Sequence, residues 1–221
     1  MSDSLSATSA TECSSADGAI IHEGQTDAPL LTLLSGWAFR FKTLSDGHRQ
    51  ILNFLLPGDF IGVQQTMGDA AAHGVQALTD VALCVFRRDA LWKFHRSAPT
   101  LGFSFRLTAH EESLVDDTLP SVGRRSTEER IATLLIVSYK RVAALLHEGS
   151  APRGVPFPLT QQQIAEGLGL SLVHTNKTLR KLEGRGLHRI ENGRLRLLDV
   201  KALARLADLC GDGQPLPRPM I

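Results

Sequence analysis

The segment from Pro158 to Glu183, PLTQQQIAEGLGLSLVHTNKTLRKLE, constrains the fold of this chain more than any other stretch. Thr160 and Gln163 have the spacing of a capping box, which favours a helix that begins just after Thr160. Gly169 is a residue type that accepts a positive φ at a corner, and Ser171 is a good N-cap for a second helix. The spacing therefore predicts two helices joined by a tight turn, a helix-turn-helix.

The second of these helices is predicted to have one buried and one exposed face. Four residues recur at helical spacing and are expected to be buried: Leu172, Thr175, Leu179 and Leu182. The residues on or near the other face are Val173, His174, Asn176, Lys177 and Arg180. Their donors, acceptors and positive charges suit base edges and phosphates in a major groove, so we interpret this face, with Thr160 and Ser171, as DNA-binding. An amphipathic helical hairpin without a DNA role is the alternative.

A second motif follows directly. The sequence LHRIENGRLRLLD, from Leu187 to Asp199, contains two short runs around Asn192-Gly193, a dipeptide typical of a type I′ hairpin. We therefore predict a winged helix-turn-helix in which Arg194 contacts DNA and Arg189 and Arg196 add positive charge. Solvated surface arginines are the alternative for each of the three.

The charge of the chain is divided unevenly, although the net charge is only +1. Residues 1–120 contain 8 Lys and Arg against 14 Asp and Glu, whereas residues 121–221 contain 16 against 9. A positive half that also contains the helix-turn-helix is expected when one domain meets a polyanion and the other does not.

The cysteines and the apolar runs indicate a compartment. Cys13, Cys84 and Cys210 are scattered, which argues against a disulfide framework or a zinc site and fits a reducing cytoplasm. No apolar run approaches the roughly 18 residues of a membrane span, and the first residues lack the basic and apolar regions of a signal peptide. We expect a cytoplasmic protein with no membrane association.

The first half of the chain has the pattern of strands and turns. Residues 1–17 are rich in Ser, Thr and Ala and are predicted to be largely disordered. Residues 18–98 contain short apolar runs cut by turns such as Asp46-Gly47 and Pro57-Gly58-Asp59. We expect these antiparallel strands to close into a small barrel or a jelly-roll-like β roll, since an open sheet would leave edges exposed.

A long helix and hinge are predicted over residues 99–125. The apolar positions form a heptad with two polar interruptions and a second stripe on another face. We expect one face to pack on the roll and the other on a second subunit; a single surface helix with one broad apolar side is the alternative. Pro120 should kink or end the helix. The predicted dimerisation residues are Leu101, Phe105, Thr108, Glu112, Val115 and Leu119.

Residues 126–210 are predicted to form the DNA-binding domain. Ser126 and Glu129 form a capping box at the start of a helix, and a Pro/Gly connector from Gly149 to Pro158 follows it. A final helix is expected from Val200 to Leu209, and residues 211–221 are a proline-rich tail. The predicted fold class is α+β, with an N-terminal antiparallel β roll, a long dimerisation helix and a C-terminal winged helix-turn-helix.

This order of elements resembles the Crp/Fnr family of bacterial transcription regulators over roughly Gly18 to Leu209. Three motifs carry the resemblance: LPGDFIG at 56–62, VGRRSTEERIATLL at 122–135 and LTQQQIAEGLGLSLVHTNKTLRKLE at 159–183. The resemblance implies a homodimer joined along the long helix and an effector sensed by the roll. It also implies RNA polymerase as a partner and an inverted-repeat promoter site in double-stranded DNA as the target.

The recognition positions depart from those of better-known relatives. On the family pattern, Val173, Asn176 and Lys177 would read bases, where those relatives use Glu and Arg at the first and last position. Val173 cannot accept a hydrogen bond from cytosine, and Lys177 cannot make the bidentate guanine contact of an arginine. The target sequence is therefore expected to differ from the best-known ones.

The sequence leaves the identity of a cofactor open. Relatives that bind cyclic AMP hold its phosphate with a Glu and an Arg in the loop after the GDFIG turn, but Gly62 to Ala77 contains neither, so cyclic AMP is not expected. The scattered cysteines argue against a cysteine-ligated iron-sulfur cluster. Haem is open, with His22, His48, His73 or His95 as axial ligands, although an isolated histidine is more often a surface or hydrogen-bonded residue.

Two other functions compete with DNA binding. A metal-dependent cupin-like enzyme would need paired histidines on one strand, and the chain has no such pair, no nucleophile elbow, no P-loop and no dinucleotide fingerprint. A ligand-binding dimer whose basic domain binds protein is the other alternative. It would lack the steep salt dependence of binding to duplex DNA.

Overall fold

The computed structural model describes residues 9–62, 70–86, 125–146 and 154–208. The chain divides into two compact units between Glu112 and Ser113. That division falls inside the predicted long helix, of which only residue 125 belongs to the described part. The six predicted dimerisation residues therefore lie outside the described residues, and so do Pro120 and the tail at 211–221.

The N-terminal unit is an antiparallel β roll, as predicted. Its strands are β1 Ser9–Ser14, β2 Ala19–Ile21, β3 Leu30–Ser35, β4 Ala38–Thr43, β5 Arg49–Leu55, β6 Phe60–Ile61, β7 Gly74–Ala77 and β8 Val81–Phe86. They form two four-stranded sheets, one in the order β1-β8-β3-β6 and the other in the order β2-β7-β4-β5. Strands distant in sequence, such as β3 and β8, are direct neighbours, so the roll depends on long-range pairing.

Two predicted turns of the roll are confirmed. At Asp46-Gly47 the chain reverses between β4 and β5, with a φ of +81° at Gly47 and a hydrogen bond of 2.8 Å from Leu44 N to His48 O. At Pro57-Gly58-Asp59, Gly58 has a φ of +96° and the Asp59 carboxylate accepts a 2.8 Å hydrogen bond from Leu56 N. Positive φ favours glycine at both corners because a Cβ would clash with the backbone.

Apolar side chains from both sheets form the core of the roll. Leu31 and Leu33 of β3, Val75 of β7 and Leu83 of β8 are buried in one cluster. Arg40 of β4 is also buried, and its Nη2 donates a 2.6 Å hydrogen bond to Phe60 O. A charged side chain tolerates burial only with such partners, so Arg40 is part of the structure of the roll.

The prediction that residues 1–17 are largely disordered is wrong for Ser9–Ser14. This segment forms strand β1 and pairs along its whole length with β8, from Ser9 opposite Phe86 to Ser14 opposite Val81. Small polar residues bury little apolar surface, which is the basis of the disorder prediction. An edge strand can instead be held by its backbone, because the neighbouring strand offers a row of donors and acceptors.

The C-terminal unit is a set of helices with a small sheet. Its elements are α1 Thr127–Leu145, β9 Val155–Pro156, α2 Gln161–Leu168, α3 Leu172–Gly184, β10 His188–Glu191, β11 Arg194–Leu197 and α4 Val200–Leu206. The capping box at the start of α1 is confirmed, since Ser126 Oγ accepts from Glu129 N and Glu129 Oε2 accepts from Ser126 N. Ile131 and Leu135 of α1, Leu182 of α3, Leu195 of β11 and Leu203 of α4 are buried.

Two details of this unit differ from the predictions. The sequence predicts a Pro/Gly connector from Gly149 to Pro158, but Val155–Pro156 within it pairs with β11 and makes the sheet three-stranded, in the order β10-β11-β9. Pro156 hides this strand from sequence reasoning, although proline is tolerated at a sheet edge. The final helix ends at Leu206 rather than Leu209, because Asp208 has a φ of +52°.

No helix among the described residues is both long and apolar enough to cross a membrane.

Candidate nucleic-acid interface

The helix-turn-helix begins with a capped α2. Thr160 Oγ1 accepts a 3.2 Å hydrogen bond from Gln163 N, and Gln163 Oε1 accepts a 2.8 Å hydrogen bond from Thr160 N. The predicted capping box is thus complete. Ile164 and Ala165 are buried and fix this helix in the unit. Its C-terminal end is tied to α1, since Arg130 Nη1 donates to Leu168 O at 3.3 Å.

Gly169 makes the corner between the two helices. It has a φ of +63° and a ψ of +40°, the left-handed conformation, and its N–H donates to Ala165 O. The next residue, Leu170, donates from its N–H to the same carbonyl at 3.0 Å. This left-handed conformation costs a non-glycine residue roughly 1 kcal/mol or more, whereas glycine adopts it without strain.

The recognition helix α3 buries a narrower stripe than predicted. Ser171 caps it, with Oγ accepting from His174 N at 3.3 Å. Thr175, Leu179 and Leu182 are buried as predicted, but Leu172 is 41% exposed, so its predicted burial is wrong. Leu172 is the first residue of the helix, and its side chain stays accessible to solvent at that end.

The opposite face of α3 is open to solvent. Val173 is 73% exposed, and His174, Lys177 and Arg180 are exposed as well. Asn176 is half-buried, and its Oδ1 is buried without a hydrogen-bond partner. The face predicted to bind DNA is therefore largely accessible, and it combines one apolar group with two cationic side chains. The caps of the two helices, Thr160 and Ser171, are also exposed.

An ion cluster fixes the far end of α3 against α1. Glu128 of α1 accepts from Lys181 Nζ through Oε1 and from Arg185 Nη1, at 3.1 Å, through Oε2. The hydrogen bond from Lys181 and the nearby positive charges hold the pKa of Glu128 below its usual value, despite some desolvation. The charges of Lys181 and Arg185 are therefore partly neutralised by Glu128. The exposed cations Lys177 and Arg180 lie nearer the N-terminus of α3.

The predicted wing is present. β10 and β11 pair in register from His188 opposite Leu197 to Glu191 opposite Arg194. Asn192 and Gly193 both have positive φ, at +51° and +67°, as a type I′ turn requires.

The wing arginines have different surroundings. Arg194 is half-buried and donates from Nη2 to Gly154 O, so it holds the wing to the start of β9. Arg189 Nε lies 3.8 Å from Glu191 Oε1 and 4.0 Å from Glu183 Oε1. Arg196 is exposed. The phosphate contact of Arg194 stays a prediction, and the structure adds a structural contact that sequence reasoning did not provide.

His188, at the start of the wing, is a buried titratable residue that sequence reasoning missed. It is only 2% exposed, and its Nδ1 has no hydrogen-bond partner. Burial lowers the pKa of His188, while the charge of Glu183 raises it by a smaller amount. The imidazole is therefore neutral in the folded unit at neutral pH. Alternation along the strand could have indicated its burial, because His188 shares a face with Ile190 while Arg189 and Glu191 are exposed.

The candidate ligands of the roll that the structure describes do not form a metal-binding group. His22 and His48 are exposed and His73 is buried, while His95 lies outside the described residues. Cys13 is exposed and Cys84 is half-buried, and Cys210 is not among the described residues. Within the described ranges, no group of three or more His, Cys, Asp or Glu residues could hold a metal ion.

Comparison with known families and proteins agrees with both units. A family model described as "Cyclic nucleotide-binding domain" matches residues 14–98, and one described as "Crp-like helix-turn-helix domain" matches residues 129–206. The transcriptional activatory protein AadR of Rhodopseudomonas palustris is 33% identical over 190 residues, which is 86% of this chain and 77% of that protein. The nitrogen fixation regulation protein FixK of Bradyrhizobium diazoefficiens is 32% identical, over 85% of this chain and 78% of the relative.

Solved structures share the fold. FixK2 from Bradyrhizobium japonicum has a TM-score of 0.78 and 24% identity, and the match covers 90% of this chain and 96% of that one. TTHB099, described as a transcriptional regulator of the CRP family from Thermus thermophilus, has a TM-score of 0.72 and 22% identity, over 89% of this chain and 96% of the other.

Proposed function

The chain belongs to the Crp/Fnr family of DNA-binding transcription regulators, and we propose that it acts as a homodimer that reads an inverted-repeat promoter site. The observation that carries this proposal is the exposed face of α3. Val173, His174, Lys177 and Arg180 face solvent on a helix whose start is fixed by the Gly169 corner and the Ser171 cap. In helix-turn-helix proteins the N-terminal residues of the second helix contact base edges in the major groove.

The charges support DNA rather than a protein as the ligand of this face. The half of the chain with the helix-turn-helix contains 16 Lys and Arg against 9 Asp and Glu. Lys177 and Arg180 add two cations to the exposed face, while the acidic Glu128 lies at the other end of α3. A protein-binding surface would not require this excess. Binding to duplex DNA should weaken steeply with salt, with a slope near 0.9 for each phosphate contacted.

Dimerisation rests on the heptad of the predicted long helix. Leu101, Phe105, Thr108, Glu112, Val115 and Leu119 would form its seam. A two-fold axis along that helix would present two copies of α3 to successive major grooves, ~34 Å apart. Bound in this way at a promoter, the dimer would contact RNA polymerase. The cupin-like enzyme is not favoured, because the relatives named above are regulators of transcription or of nitrogen fixation.

The signal sensed by the roll is proposed to be something other than a cyclic nucleotide. A buried cyclic phosphate needs a cationic partner, and Gly62 to Ala77 contains no Arg and no Glu. Elsewhere in the described roll, Arg40 donates to Phe60 O. Arg49 lies over the rings of Phe39 and Phe41 and donates to Gln76 Oε1. Both arginines make contacts within the roll itself, so the described residues of the roll do not fit a cyclic nucleotide.

Footprinting on a site selected from randomised duplexes tests the proposal. We expect two protected half-sites in inverted orientation, about one helical turn from centre to centre. A native mass of twice the 24.0 kDa chain should accompany this footprint. A single unrepeated half-site, bound by one chain, would contradict the dimeric mode. Binding that does not respond to salt would contradict the DNA role and favour the protein-binding alternative.

A further inference from the structure

Val173 is the most exposed large apolar side chain among the described residues. It is 73% exposed, whereas the next, Leu198, is 48% exposed. It lies in the first turn of α3, beside the partly exposed Leu172. An apolar side chain this exposed, on a face that also carries cationic residues, gains free energy when a partner covers it.

We propose that Val173 reads the 5-methyl group of a thymine in each half-site. The inference rests on the proposed function, because it assigns a base to one residue of the same interface. Valine has no donor or acceptor, so it cannot bond to the polar edges of any base. The thymine methyl is the apolar group that the major groove offers, and it distinguishes thymine from the other three bases there.

The position of Val173 on α3 suits this contact. The N-terminal turn of a recognition helix reaches the base edges, and the Ser171 cap fixes where that turn begins. Valine is stiff at χ1 in a helix, so its methyl groups are held in one direction. Lys177 follows four residues later on the same face, roughly 6 Å along the helix axis. That distance is about two base-pair steps, so the two side chains can contact different bases of one half-site.

The neighbours of Val173 favour DNA over a protein as the covering partner. His174, Lys177 and Arg180 are exposed on the same helix, and the N-terminal turn carries no acidic residue. An apolar hot spot for a protein would lie among other apolar groups, with charged residues depleted at its centre. Here the apolar group is small and the surrounding cations suit phosphates.

The test replaces thymine by uracil, which removes only the methyl group. A preferred site is first selected with the full chain, and each thymine of one half-site is then replaced in turn, with affinity measured at fixed salt. We expect one thymine per half-site at which uracil lowers affinity about fourfold, the effect of one buried methyl group. The Val173→Ala variant should bind thymine and uracil at that position equally. Val200→Ala is the matched control, since Val200 also lies in the first turn of a helix and is 45% exposed.

Each outcome either supports or overturns the assignment of Val173 to a thymine methyl group. Loss of the thymine preference in Val173→Ala but not in Val200→Ala supports the assignment. A thymine preference that persists in Val173→Ala, or no position sensitive to the methyl group, overturns it while leaving DNA binding intact. Failure to select any preferred sequence overturns the proposed function as well, so the two failures are distinguishable. If Val173→Ala abolishes binding of a protein partner but leaves the affinity for DNA unchanged, Val173 belongs to a protein-binding surface, and the proposal is overturned.

Discussion

The recognition helix and the β roll differ in whether the residues that bear on ligand binding are exposed or buried. On α3 these residues are exposed, with Val173 and Lys177 facing solvent. In the roll they are buried, with Arg40 donating to Phe60 O in a domain whose strands pair across long stretches of sequence. The exposed face of α3 is set by local caps and one turn, so a ligand can be proposed for each of its residues. The interior of the roll is set by strands that are distant in sequence, so its side chains only exclude ligands that they cannot hold.

The largest expected effect tests whether α3 has the two faces described. Leu182→Ala should lower the free energy of unfolding of the C-terminal unit by about 2–5 kcal/mol, because Leu182 is fully buried and the change leaves a cavity. Urea unfolding followed by circular dichroism measures it, since all four described helices lie in this unit.

Leu172→Ala is the matched control on the same helix. Leu172 is 41% exposed, so its change should stay within about 0.5 kcal/mol. A cost for Leu172→Ala as large as that for Leu182→Ala would mean that the predicted four-residue stripe is buried after all.

Sequence reasoning succeeded where the signal is local. The Thr160 capping box, the Gly169 corner and the Asn192-Gly193 hairpin each depend on residues within a few positions of one another, and all three are confirmed. It failed where the partner is distant. Strand β1 forms because its backbone pairs with β8, about 70 residues away in the sequence. Strand β9 likewise forms because it pairs with β11.

The candidate site shows the same division. Exposure of Val173, Lys177 and Arg180 follows from helical periodicity, and the structure agrees. The contact of Arg194 with Gly154 and the ion cluster of Glu128 with Lys181 join elements separated by 40 and 53 residues. No spacing rule predicts such contacts. The sequence therefore does not distinguish Arg194, which contacts Gly154, from the exposed wing arginines Arg189 and Arg196.

A smaller effect is expected from pH, and it concerns the C-terminal unit. Burial lowers the pKa of His188 below its usual value near 6.5. The unfolded chain then binds the proton more tightly, so this residue contributes stability that is present above pH 6.5 and is lost as pH falls below it. The slope is at most about 1.4 kcal/mol per pH unit for one group. Glu128 also has a lowered pKa, and its contribution is lost only below its usual 4.5.

Unfolding free energies at pH 8 and pH 5.5 measure the contribution of His188. His188→Gln should remove much of the difference between the two pH values, because glutamine does not titrate. His174→Gln, at an exposed histidine on α3, should keep the difference. An unchanged pH dependence in His188→Gln would show that other groups control stability in this window.

The smallest effect is expected from cyclic AMP on the roll. A ligand that binds only the folded state raises its stability by about 2.7 kcal/mol at 100 times its Kd. Because Gly62 to Ala77 lacks the Arg and Glu that would hold the phosphate, we expect cyclic AMP at millimolar concentration to leave the melting temperature unchanged. A saturable rise in melting temperature would show that the roll holds the cyclic phosphate by other residues.

The central claim is that the exposed face of α3 reads base sequence, and the affinity of Lys177→Ala for two duplexes tests it most directly. On the selected site the variant should lose about 1–3 kcal/mol of binding free energy, and on a random duplex it should lose less, so that base preference relaxes. Arg194→Ala, whose side chain binds Gly154 O, should weaken both duplexes alike. Equal losses on both duplexes for Lys177→Ala would contradict the claim, because Lys177 would then contact only the phosphate backbone.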